Sequence, residues 1–173
     1  GKAPDELRKM RRAGAIVAAA LQEMRLAVAP GVTTSSLDAL AETVIRDLGG
    51  VPSFKGYRGY PATICASVNE EIVHGIPGPR ALREGDIVSI DVGAIWQGYQ
   101  GDAAITVAVG AVEPRLLDLM KATEAALWAG IKAARVGARL GDVSHAIEMA
   151  AREAGFEVIR EYGGHGIGRA MHE

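Results

Sequence analysis

Residues 86–109 read DIVSIDVGAIWQGYQGDAAITVAV, with Asp91 and Asp102 set inside two apolar runs on either side of Gln97-Gly98. Alternating apolar residues around a two-residue Gly-containing turn read as a β-hairpin, with strands at 86–96 and 99–109. In that register Asp102 faces Gly93, two positions along from Asp91. The two carboxylates then share one face as diagonal neighbours, roughly 7 Å apart at their backbones. Like charges this close on apolar strands are costly unless a cation lies between them. A plainer reading pairs Asp91 with a nearby Lys or Arg, but no basic residue lies between Val88 and Val112. A divalent metal ion, or a pair of them, answers the charge better.

Working outward, the bulk properties narrow the class. A chain of 173 residues that is 49% apolar can bury a real core, so a single domain spanning 1–173 is expected. The net charge is −2 and the basic residues are dispersed, which argues against nucleic acid or an anionic membrane as partner. Cys65 is the one cysteine, so no internal disulfide can form, as suits a reducing cytoplasm. The segment Pro4-Asp5-Glu6-Leu7-Arg8-Lys9-Met10 is charged and helix-like rather than a signal peptide. The apolar stretch Ala13 to Leu21 is too short to span a bilayer. A soluble cytoplasmic protein is expected.

Helical periodicity covers residues 5–28 and ends at Pro30-Gly31. Thr34-Ser35-Ser36 offers N-caps for a second helix through Leu48, stopped by Gly49-Gly50. Residues 51–61, VPSFKGYRGYP, read as a loop with three aromatics. Strands are expected at 62–68 and 71–75, ahead of the hairpin. Pro114 can start a helix to about Arg135, and Asp142 can cap another through Ala154. A strand at 156–162 would lead into Gly163-Gly164-His165-Gly166-Ile167-Gly168. This order is α+β, with helices covering a mainly antiparallel sheet. Leu116, Leu119, Met120, Thr123, Leu127 and Ile131 repeat at helical spacing, and core packing accounts for them. Met149 and Met171 need no role beyond filling gaps.

The four histidines differ in setting. His165 lies among glycines 163, 164, 166 and 168, which permit unusual backbone shapes and clear space around the ring, so a ligand is expected there. His74 precedes a turn at Gly75-Ile76-Pro77, where either a site residue or a turn-capping imidazole fits. His172 is uninformative alone, and His145 reads as a surface residue on a helix. Two carboxylates and an imidazole form an oxygen-rich, borderline-hard donor set suited to Mn, Fe, Co or Zn.

Several of these stretches, in order, closely resemble the type I methionine aminopeptidases. They are Tyr57 through Glu70 (YRGYPATICASVNE), Ile72 through Pro77 (IVHGIP), Gly85 through Gly93 (GDIVSIDVG), Gly101-Asp102, Gly164 through Gly168 (GHGIG) and Met171-His172-Glu173. Several long motifs in order exceed what a lone short pattern can carry. The resemblance implies a pita-bread fold, two pseudo-symmetric halves with a curved sheet holding two divalent metal ions. Asp91, Asp102 and His165 would be metal ligands, Asp102 bridging both ions. His74 and His172 would be the catalytic-pocket histidines, which hold the scissile peptide, and Tyr57 and Cys65 would lie near the methionine side-chain pocket.

In such enzymes a metal-bound water attacks the carbonyl after the first residue. The implied activity is removal of the initiator methionine from nascent chains, with substrates that begin with Met and a workplace close to the ribosome. The family pattern also carries two glutamates downstream of the His-Glu motif, one serving as general base, and the sequence stops at Glu173 before either. The expectation is a catalytic domain truncated before its last strands, inactive by itself. Two alternatives remain at this point: a proline-directed peptidase of the same fold, and a non-catalytic binding relative or inactive fragment.

Overall fold

The computed structural model describes residues 1–173, which fall into two compact units, 1–112 with 165–173 and 113–164. In the first unit, helix α1 (Pro4–Ala27) starts with Pro at its first position, and the Glu6 carboxylate accepts the Ala3 backbone N–H at 2.8 Å. Its inward face carries Ala13, Ile16, Val17, Ala20, Leu21 and Met24, at steps of three and four. Helix α2 (Thr34–Asp47) is capped by Thr33, whose Oγ1 accepts the Ser36 N–H at 3.2 Å. The cap thus lies one residue ahead of the Thr34-Ser35-Ser36 cluster expected to supply it, because those three already occupy the first turn.

The sheet is antiparallel throughout, with strands β1 (Val51–Pro52), β2 (Ile64–Val68), β3 (Ile87–Trp96) and β4 (Tyr99–Ala108). Strand β3 is central: β4 lies along one edge, and β1 and β2 pair with successive stretches of the other. The expected hairpin forms in the expected register, with Gly93 opposite Asp102 and Trp96 opposite Tyr99. Gln97 and Gly98 both take positive φ, 46° and 79°, as a tight two-residue connection requires.

The period of two in these strands separates core from site. Ile64, Ala66 and Val68 of β2 and Val88, Ile90, Val92 and Ala94 of β3 face α1 and α2 and are buried with Ile16, Met24, Leu37 and Ile45. Each of the Val, Leu, Ile and Met side chains so removed from water contributes about 1.5–3 kcal/mol. The other face carries Cys65, Ser67, Ser89, Asp91, Asp102 and Thr106, with a Ser89–Thr106 hydroxyl contact of 2.9 Å marking the shared side. Gly101 makes close packing of α1 feasible, since a Cβ there would stand 2.6 Å from the Ala13 backbone.

Two expected strands are absent. Residues 71–75 bend away after Asn69, which adopts φ 57°, and the Glu71 carboxylate takes up the Val68 N–H at 2.9 Å. Only Ala66 N–H to Gly75 O, at 2.8 Å, joins this segment to β2 in ladder fashion. Residues 156–162 find no neighbouring strand and are tied instead to the preceding helix by Arg152–Glu157 and Arg160–Glu148 ion pairs. Conversely, Val51 and Pro52, read as loop, pair with Ile95 and Ala94.

The second unit holds α3 (Pro114–Ala133) and α4 (Leu140–Glu153). Their contact is a small-residue seam: Ala122, Ala126 and Gly130 are the buried residues of α3, and a Cβ on Gly130 would meet Ile147 at 2.7 Å. The expected apolar stripe is only partly buried, for Leu127 and Ile131 are 54% and 50% exposed. Asp142 does cap α4, but from its third position, accepting the Arg139 N–H at 2.8 Å. His145 is exposed, as expected.

Candidate metal centre

The polar face of the sheet opens into a cavity of about 580 Å³ in the first unit. One wall is acidic. Asp91 stands on β3 between Cys65 and Ala104 on the flanking strands, and Asp102 stands on β4 opposite Gly93. Neither carboxylate has a Lys or Arg partner; the cationic candidate facing them is His165, with Nε2 3.6 Å from Asp102 Oδ2. Burial, then the neighbouring Asp102 charge, holds the half-buried Asp91 carboxyl well above the ordinary carboxylate range.

His165 is delivered by the segment that follows the second unit. Its Nδ1 lies 3.0 Å from the Gly166 carbonyl. A carbonyl can only accept, so this contact puts a proton on Nδ1 and makes Nε2 the ring nitrogen turned towards Asp102. That is the arrangement of an imidazole ready to ligate. No group of three or more His, Cys, Asp and Glu side chains stands gathered as a ready-made metal cluster. The donor chemistry nevertheless fits a divalent ion: an imidazole lone pair and two carboxylates converge on one cavity with no cation among them. Two ligands about 2.1 Å from a common ion lie roughly 3 Å or more apart, close to the separation found between Asp102 and His165.

Glycines 166 and 168 serve this segment differently from the sequence expectation. None of glycines 163, 164, 166 and 168 has positive φ. Gly166 exchanges both backbone hydrogen bonds with Glu173, at 3.1 and 2.9 Å, and a Cβ there would sit 2.9 Å from the Glu173 carbonyl. At Gly168 a Cβ would collide with the Glu173 carboxylate. Close approach, rather than unusual φ, demands glycine at these two positions. The closed loop is fixed to β4 by Gln100 N–H to Gly168 O at 2.8 Å, and it brings the His165 and His172 rings to 4.2 Å.

The rest of the lining is largely apolar. Phe54, Cys65 and Met171 are buried together, with Tyr57 and Tyr60 packed on them. Burial pushes the Cys65 thiol up, and the Asp91 charge adds to the shift. The hydroxyl of Tyr57 is 3.1 Å from His172 Nδ1. His74, at φ 61°, completes the rim, so every residue expected at the site lines this one cavity. Phe54, Tyr60 and Met171 line the cavity as well, beyond the residues the sequence points to. The spacing of Phe54, Tyr57 and Tyr60, three residues apart within one loop, was the signal for two of them; Met171, read as filler, is a buried wall residue adjacent to His172.

The family model described as metallopeptidase family M24 matches residues 8–173. A methionine aminopeptidase of Clostridium acetobutylicum is 50% identical over 169 residues, which make up 97% of this chain and 68% of that protein. Methionine aminopeptidase 1 of Mycobacterium tuberculosis is 54% identical over 174 aligned residues, 96% of this chain and 65% of that protein. Among solved structures, methionine aminopeptidase from Thermotoga maritima superposes with a TM-score of 0.97 at 47% identity, covering 99% of this chain and 70% of that one.

Proposed function

Because the chain belongs to metallopeptidase family M24 and carries its pita-bread α+β fold, we propose that its site removes N-terminal methionine from peptides and nascent proteins. The observation that carries the reading is the pairing of two walls in one cavity. Two carboxylates and an imidazole line the same cavity as the apolar residues Phe54, Cys65 and Met171, and its volume of about 580 Å³ admits a thioether side chain.

Asp91, Asp102 and His165 would hold the metal, most simply as a pair of divalent ions given two carboxylates with four oxygens. Bound there, such ions supply Lewis acidity and lower the pKa of water toward neutrality. The chain's own groups do the rest. Tyr57, Cys65, Phe54 and Met171 enclose the methionine side chain and exclude water from it. A Tyr57 hydroxyl donating to His172 Nδ1 leaves the His172 proton on Nε2, able to donate to the scissile carbonyl. His74 lines the same cavity, within reach of the same peptide.

The family resemblance also expects two glutamates downstream of the His-Glu motif, one of them the general base. No helix is long and apolar enough to cross a membrane; a substrate that is the N-terminus of a new protein puts the proposed workplace in the cytoplasm, near emerging chains. The test is release of free methionine from Met-Gly-Xaa peptides by the protein with its two glutamates, loaded with Mn or Co. Release from Xaa-Pro substrates instead would favour a proline-directed peptidase, and no release with metal bound would favour a non-catalytic relative.

A further inference from the structure

Tyr60 has a role in the cavity wall that its ring does not explain. The ring packs on the Phe54–Cys65–Met171 cluster, but the hydroxyl turns to the backbone. It donates to the Ile64 carbonyl at 2.9 Å and lies 3.3 Å from the Gly75 carbonyl. One proton thus spans the first residue of β2 and the turn that carries His74.

Two further contacts press the same turn onto β2. The Gly75 N–H donates to Ser67 Oγ at 3.1 Å, and the Gly75 carbonyl also accepts from the Ala66 N–H at 2.8 Å. A Cβ at Gly75 would collide with the Ala66 carbonyl, so the approach is as close as backbone allows. The residue held beside it, His74, has left-handed backbone at φ 61°, a conformation L side chains adopt only when surroundings impose it. Burial pushes the Tyr60 phenol above its ordinary range, so the hydroxyl keeps its proton and donates at neutral pH.

We infer that the Tyr60 hydroxyl is a positioning group for His74, clamping the His74–Gly75 turn to β2 so that the imidazole keeps its place on the cavity rim. The inference rests on His74 acting in the site proposed above. Tyr60→Phe removes the clamp while keeping the ring that lines the pocket; Gly75 O retains the Ala66 N–H, whereas the Ile64 carbonyl loses its hydroxyl donor, a cost a melting curve would show.

With Met-Gly-Xaa peptides and the metal-loaded protein, Tyr60→Phe should lower kcat about tenfold while KM stays within about twofold. In a His74→Ala background the same change should have no further effect, because the two residues act as one unit. An equal loss in both backgrounds, or a change confined to KM, would overturn the inference. A readout that needs no turnover runs beside it: the His74 three-bond HN–Hα coupling and backbone carbon shifts should move off left-handed values in Tyr60→Phe. Unchanged values would sink the clamp, whereas failure of wild-type protein to release methionine would sink only the proposed function. Should Tyr60→Phe misfold, Ser67→Ala cuts the other arm and should shift the same His74 signals, and their constancy would count equally against it.

Discussion

Gly93 faces Asp102 across the β3–β4 ladder, and the space its missing side chain leaves is occupied by Phe54 and Ser53. A Cβ at 93 would stand 2.8 Å from both Phe54 Cε1 and Ser53 Cβ, nearer than real carbon contacts come. The glycine therefore lets the loop bearing the apolar wall lie directly against the strand bearing Asp91. Gly93→Ala should cost about 1–3 kcal/mol through overpacking. Urea denaturation would register this as a lower midpoint with an unchanged slope. Gly101→Ala should be worse, because its clash is with Ala13 backbone at 2.6–2.8 Å, which cannot rotate away.

The acidic pair gives a metal prediction. Manganese at about 100 times its Kd should stabilise the protein by about 2.7 kcal/mol if it binds only the folded state. Asp102→Ala removes the carboxylate beside His165 and should weaken that affinity at least about 100-fold, abolishing the shift in melting temperature. Metal content measured after gel filtration checks the same point. Wild-type stoichiometry in the variant would remove Asp102 from the ligand set.

How much of this was legible depends on what each residue answers to. The hairpin register followed from local alternation and a turn whose geometry is intrinsic, so Asp91 and Asp102 were placeable from the chain alone. The segment 71–75 looks like a strand by composition, but Asn69 turns the chain at positive φ and the Glu71 carboxylate takes the Val68 N–H that a neighbouring strand would use, and no propensity encodes that competition. Residues 156–162 are strand-prone, yet a strand exists only with a partner, which is a non-local fact. At glycines 166 and 168 the residue type was informative and the mechanism was not: the crowding comes from Glu173, whose approach is tertiary. Met171 was read as filler because nothing local distinguishes a wall residue from a core one.

Glu6 joins α1 to the hairpin and predicts an acid limit to stability. Its carboxylate accepts from the Tyr99 hydroxyl and from the Ala3 N–H, and these bonds hold its pKa below the ordinary value, the Tyr99 bond first. A carboxylate whose folded pKa is depressed stabilises the fold above its unfolded pKa, and that contribution disappears as pH falls through the folded one. Melting temperature should therefore decline below about pH 4.5 more steeply in wild type than in Glu6→Gln. Parallel curves for the two proteins would show that the Glu6–Tyr99 bond is not coupled to folding.

The apolar wall can be separated from the histidines by kinetics. Met171 is 8% exposed, packs with Phe54 and Cys65, and precedes His172 in the chain. If it encloses the substrate's thioether, Met171→Ala removes contacts made equally in the ground and transition states. KM for Met-Gly-Xaa peptides should then rise about tenfold with kcat little changed, in keeping with the worth of a few methylenes in an apolar pocket. If Met171 chiefly holds the His172 ring against Tyr57, the loss should fall on kcat, because the imidazole proton would no longer be aimed at the developing charge. Cys65→Ala supplies the control, since Cys65 belongs to the same apolar cluster but sits on β2, opposite Asp91, and not on the segment that carries His172. A rise in KM shared by Met171→Ala and Cys65→Ala assigns the wall to side-chain recognition; a fall in kcat found only at Met171 assigns that residue to the histidine instead.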